Sequence, residues 1–123
     1  MTALLVALGT AIGAPLRYAV DRFVQQRHDG VFPWGTFVVN VLGSLVLGIV
    51  TYAVTIGAWP DTVTVLVGAG LCGGFTTFSS FCFETWRLLE AGAVLEAELN
   101  LVASLLAGLA AAAGGWLLAG AIW

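Results

Sequence analysis

Charge is distributed so unevenly along this chain that it marks out the architecture. Residues 30–60, 62–83 and 99–123 contain no Asp, Glu, Lys or Arg. Each run meets or exceeds the ~20 residues an α-helix needs to cross the hydrocarbon core of a bilayer. A fourth apolar stretch, residues 2–20, is interrupted by Pro15 and Arg17, and proline is tolerated in a membrane helix where neighbours take up the carbonyl it frees. The pattern predicts an all-α membrane protein: a single domain over residues 1–123, with spans at about 2–20, 34–56, 62–90 and 99–121. The tryptophans fit these limits. Trp34 and Trp59 bracket the second span, and Trp86, Trp116 and Trp123 fall near the ends of later ones, at the depth where amphipathic rings collect.

Polar residues inside a span have to face something other than lipid. In the second span Thr36, Asn40, Ser44 and Gly48 recur every four positions, which places them on one helical face. The fourth span carries Asn100, Ser104, Gly108 and Ala112 at the same spacing, and the first Gly9, Gly13, Arg17 and Asp21. The small residues are expected to serve close helix packing. Asn40 brings two donors and an acceptor to mid-membrane, and they must be satisfied by structure or by a permeating species. Arg17 is expected to anchor the first span near the membrane surface, paired with Asp21 one turn later.

The third span is predicted to be discontinuous. Gly68, Gly70, Gly73 and Gly74 are followed closely by Thr76 and Thr77, a composition with poor helix propensity, which puts a break near residues 73–77. Unwound backbone at membrane depth survives only where it is buried in protein or lines a cavity, and broken helices are common at ion sites. Phe78 and Phe81 follow the break, flanking Ser79 and Ser80. The rings read either as packing or, through their electropositive edges, as contacts for an anion.

Composition agrees with a membrane protein: 60% of residues are hydrophobic and 9% charged, too few charges to cover a small soluble domain. The formal charge of -3, with four Arg and no Lys, argues against nucleic-acid binding. Arg22, Arg27 and Arg87 lie in loops that share one face if the spans alternate, and the positive-inside rule assigns that face to the cytoplasm. The first sixteen residues have no basic segment, so a cleaved signal peptide is not expected. Asp61 and Glu84 are placed at span ends. Cys72 and Cys82 lack partners at zinc-ligand spacing and read as small buried apolar residues. No catalytic constellation is present, and the single histidine, His28, lies in a loop.

Three motifs make the chain recognisable. Gly73-Gly74-Phe75-Thr76-Thr77-Phe78-Ser79-Ser80-Phe81 closely resembles the third-span signature of the Fluc (CrcB) fluoride channels. Gly13-Ala14-Pro15-Leu16-Arg17-Tyr18 resembles the family's first-span motif, and Gly35-Thr36-Phe37-Val38-Val39-Asn40-Val41-Leu42-Gly43-Ser44 its second. The resemblance implies a non-enzymatic, fluoride-selective passive channel in the cell membrane. Such a channel is built from four-helix subunits that assemble as antiparallel dual-topology dimers.

The resemblance also implies roles for particular residues. Asn40, Phe78, Phe81 and Ser104 would line the fluoride pathway, with Ser44 and Ser79 as neighbouring hydroxyls. The backbone carbonyls of Gly73 and Thr76 would hold a structural sodium ion at the dimer interface. Thr10, Cys82 and Asn100 depart from the family's usual glycine, serine and aromatic residues. The one-sided loop arginines leave two partnerships open, a homodimer or a heterodimer with an oppositely oriented paralogue. Two other functions fit a small four-span protein: a proton-coupled drug exporter, which needs a membrane-embedded acid, and a non-transporting assembly factor that binds a partner helix.

Overall fold

The computed structural model describes residues 1–123 and is entirely helical, with four segments long and apolar enough to cross a membrane. The first span is α1 (Thr2–Gln25), which runs through Pro15 without a break. The second is α2 (Trp34–Thr55). The third, Asp61–Glu90, is composite. It begins with a short α3 (Asp61–Val63), widens into a π-helix over Thr64–Cys72, tightens again in α4 (Gly73–Phe75), and resumes after an interruption as α5 (Ser79–Glu90). The fourth is α6 (Val94–Ile122), with which the helical content ends. Gly57 (φ 78°) and Gly92 (φ 79°) turn the chain after α2 and α5 in the left-handed region that favours glycine.

Only 19 of 123 residues are buried, so the chain shows apolar side chains outward in the way a lipid-facing bundle does. What holds it together is close backbone approach at small residues. On α1, a side chain at Gly9 would run into the backbone of Leu66, Gly70 and Leu71, and one at Gly13 into that of Leu71 and Phe75. This seam therefore locks α1 against the π-wound segment. On α2, Gly48 lies against the carbonyl of Ala112, and reciprocally Gly115 of α6 lies against Leu45 and Ile49. The expectation that the glycines of the periodic stripes serve packing is met at these positions, and Val39, Val50, Ala53, Ala97 and Ala119 fill the little interior there is.

The interruption in the third span sits slightly later than the glycines suggest. Gly73–Phe75 is still helical, and the Thr76 amide and hydroxyl both donate to the Cys72 carbonyl, each at 2.8 Å. Thr76 then turns extended (φ -82°, ψ 162°) and the helix restarts at Ser79. The π winding is not legible in the sequence. Such wide turns are rare and are found disproportionately at functional sites.

Candidate functional site: a groove at the helix break

The break leaves the peptide groups of Thr77 without helical partners, and Asn40 on α2 supplies both. Its Nδ2 donates to the Thr77 carbonyl at 3.0 Å, and its Oδ1 accepts from the Thr77 amide at 2.8 Å. One side-chain amide thus replaces the two backbone bonds that unwinding removed, which is what an apolar surrounding demands. The geometry also fixes the amide's orientation, since only oxygen can meet the Thr77 N–H. One Asn40 N–H is committed in this way, and the second has no partner within the chain.

Asn40 lines a groove of about 340 Å³ with Ser44, Gly73, Thr76, Thr77 and Phe78, among others. Four elements of the sequence that were expected to act together therefore meet in space: the α2 stripe, the glycine run, the threonines and the first ring. The Ser44 hydroxyl donates to the Asn40 carbonyl at 2.8 Å, within its own helix. The Gly73 position is open, with no atom within 4 Å of where a side chain would begin. Neither the Gly73 nor the Thr76 carbonyl accepts a hydrogen bond from the chain's loops, caps or side chains. Unoccupied carbonyl oxygens on an open face are the donor set a hard cation such as sodium takes, so these residues fit the expected ion.

Of the other residues that the resemblance assigns to a fluoride pathway, Phe81, Ser79 and Ser104 do not line this groove. The Phe78 and Phe81 rings are 6.1 Å apart between centroids and tilted by 40°. Phe78 is 77% exposed, and Phe81 is half-buried. Ser79 is exposed, with its hydroxyl 3.4 Å from that of Thr77. The Thr77 hydroxyl in turn accepts from the Ser80 amide at 3.1 Å, helping to start α5. Ser104 is on α6, where its hydroxyl donates to Asn100 Oδ1 at 3.2 Å.

Arg17 lines a separate small cavity of about 110 Å³ with Tyr18, Asp21, Thr36, Val39, Thr77 and Ser80. The expected ion pair does not form. The buried Nε of Arg17 has no hydrogen-bond partner, and Asp21 instead packs its carboxylate against Gly35 of α2, where the missing side chain makes room. Glu84, expected at a span end, is half-buried on α5. It accepts a bond from the Thr36 hydroxyl at 2.6 Å and lines a cavity of about 460 Å³ with Asp21, Gln25, Ser80 and Arg87. Cys72 is buried as expected, but Cys82 is exposed on α5, because its side of that helix has no neighbour within the subunit. His28 is tied to the Val24 carbonyl through Nδ1 at 2.8 Å and stacks on Trp34.

Two polar residues are given no role of their own by the sequence: Thr77 in the groove, and Thr85 on α5, whose hydroxyl accepts a bond from Asn100 at 2.8 Å. Thr77 stands out in the sequence only as part of a helix-poor run, and Thr85 does not stand out at all; both matter through bonds to residues far away in sequence. Nothing in a local window signals those partners.

Comparison with known proteins places the chain among relatives. Residues 4–116 match the family described as "CrcB-like protein, Camphor Resistance (CrcB)". The chain is 53% identical over 123 residues to fluoride-specific ion channel FluC 1 of Streptomyces avermitilis, covering 100% of this chain and 99% of that one. It is 55% identical over 128 residues to fluoride-specific ion channel FluC 1 of Frankia casuarinae, again covering 100% and 99%. With fluoride-specific ion channel FluC of Thermus thermophilus the identity is 43% over 119 residues, covering 97% and 94%.

Proposed function

The chain belongs to the CrcB family, and we propose that it conducts as its relatives' names describe, as a fluoride-specific ion channel whose route passes the groove at Asn40. It is a multi-pass membrane protein and a transporter rather than an enzyme. Passive conduction lets fluoride that has entered the cell as neutral HF leave the cytoplasm as the anion, which lowers its toxicity. The observation that carries the site is the Asn40 amide: one N–H holds the helix break open and the other is free to donate to an ion.

Fluoride is small and strongly hydrated, so it crosses only where donors replace its water. The free Asn40 N–H, the Ser79 hydroxyl and the electropositive edges of Phe78 and Phe81 are the groups available along this face, and Ser44 and Ser104 extend it. None carries a formal charge. Selectivity then comes from donor number and pore width, and chloride is the larger ion.

A second subunit completes the pore. A single subunit leaves the groove open on one side, with Phe78 exposed and the Gly73 face uncovered. These features support an antiparallel dimer joined at the paired breaks, where the Gly73 and Thr76 carbonyls would hold a structural sodium ion. The partner is either an identical chain or an oppositely oriented paralogue. The arginines favour the paralogue: α1 ends where α5 ends, with Gln25 and Arg87 lining one cavity, so Arg22 and Arg87, which lie in the last turns of α1 and α5 rather than in loops, and Arg27 bias one orientation.

The test in cells is growth. Expression in bacteria that lack their own fluoride exporter, alone and together with the paralogue, should restore growth in fluoride, while failure of both to protect would refute the channel reading.

A further inference from the structure

A second polar network lies where α5 meets α6. Asn100 is 1% exposed, deep in an apolar bundle. Its Nδ2 donates to the Thr85 hydroxyl at 2.8 Å. Thr85, itself buried, donates onward to the Phe81 carbonyl at 2.8 Å. At the other end, the Ser104 hydroxyl donates to Asn100 Oδ1 at 3.2 Å. All three bonds run in one direction, from Ser104 through Asn100 and Thr85 to the backbone of Phe81. Aligned donors polarise one another, and in a low-dielectric setting each member left unpaired is costly.

The location of this chain of bonds gives it a role. Because the helix is interrupted before Ser79, α5 has no continuous ladder to fix its rotation relative to α4. Side chains from other spans must do so. Asn40 holds the near end at Thr77, Thr36 holds Glu84 from the α2 side, and Asn100 holds Thr85 from the α6 side. Thr85 is one turn beyond Phe81 on the same helix, so a rotation of α5 that breaks the Asn100 bond also swings the Phe81 ring. Asn100 also occupies the single proton of the Ser104 hydroxyl. That hydroxyl can turn toward a passing anion only by leaving Asn100.

We infer that Asn100 is a positioning residue of the channel: it sets the rotation of α5, and with it the Phe81 ring, and it governs how readily Ser104 offers its proton to the ion. The inference rests on the reading of Phe81 and Ser104 as pathway groups and adds a residue that does not touch the ion.

The test compares wild type with Asn100→Leu, Thr85→Val and the double variant, each reconstituted in vesicles in whichever assembly carries fluoride. The fraction of vesicles that lose fluoride counts assembled channels, and the rate within those vesicles reads each channel. Asn100→Leu and Thr85→Val should each lower the per-channel rate about tenfold, as expected for one buried hydrogen bond acting on the conducting geometry. The double variant should be no slower than the worse single one, because both remove the same bond. Thr85→Ser, which keeps the hydroxyl, should recover most of the rate lost in Thr85→Val.

A purely structural role predicts fewer active vesicles at an unchanged rate, and that result overturns the inference. So does an additive, roughly hundredfold loss in the double variant. If Asn100→Leu does not assemble, Thr85→Val, nearly isosteric with wild type, decides alone. A wild type that carries no fluoride would instead refute the channel reading itself.

Discussion

Asn40 and Thr77, on different spans, are joined by two hydrogen bonds between one side-chain amide and one residue's backbone, at 3.0 and 2.8 Å. This pair makes a broken helix tolerable inside the membrane and leaves an N–H spare beside the break. The structural role of Asn40 and the conducting role proposed for it thus draw on different hydrogens of a single amide group.

Asn40→Asp tests both roles together. Aspartate keeps the acceptor for the Thr77 amide but loses both donors and adds fixed negative charge to an anion path. Fluoride efflux from vesicles should fall at least about tenfold, given the ~1.4 kcal/mol or more at stake when a donor to a charged species is lost. Unchanged efflux would remove Asn40 from the pathway.

Phe78 tests the rings separately from the fold. At 77% exposure within the subunit it contributes little to the subunit's own packing. Phe78→Ile should leave the thermal unfolding of the detergent-solubilised subunit within about 0.5 kcal/mol of wild type, as for other surface changes. It should nevertheless lower fluoride efflux, since an aliphatic side chain offers no electropositive edge.

The seam between α1 and the π-wound segment should tolerate no added side chain. A Cβ at Gly9 would collide with backbone atoms of three residues, and backbone cannot move aside as a flexible side chain can. Gly9→Val should destabilise the subunit by about 1–3 kcal/mol, read as a lower unfolding temperature in detergent. Gly114→Ala, where nothing lies within 4 Å, is the matched control and should leave the temperature unchanged or slightly raised through helix propensity.

The carbonyls of Gly73 and Thr76 make ion dependence testable. Exchanging sodium for a bulky organic cation throughout purification and reconstitution should lower both the dimeric fraction and fluoride efflux. Returning sodium should restore them. Indifference of both readouts to the exchange would exclude a structural sodium.

The four spans are legible because membrane crossing is written in composition: a run without charge is readable one residue at a time. The break is legible as a tendency but not as a place. Glycines weaken a helix, yet Gly73–Phe75 stays helical and the chain opens at Thr76–Phe78, because the amide that can replace the lost bonds belongs to Asn40, far off in sequence. The same limit explains Arg17. A spacing of four residues permits a pair with Asp21, but Gly35 on another helix makes a better seat for that carboxylate. Likewise Cys82 looks buried by residue type and is exposed, since only the packing of α5 decides which of its faces has neighbours.

Fluoride conduction is tested most directly by a flux measurement in vesicles loaded with fluoride and containing only this chain, or this chain with an oppositely oriented paralogue. A fluoride electrode should record rapid, uncoupled efflux, carried by neutral donors and ring edges, in at least one of the two preparations, with chloride held back. Retention of the fluoride gradient in both would contradict it.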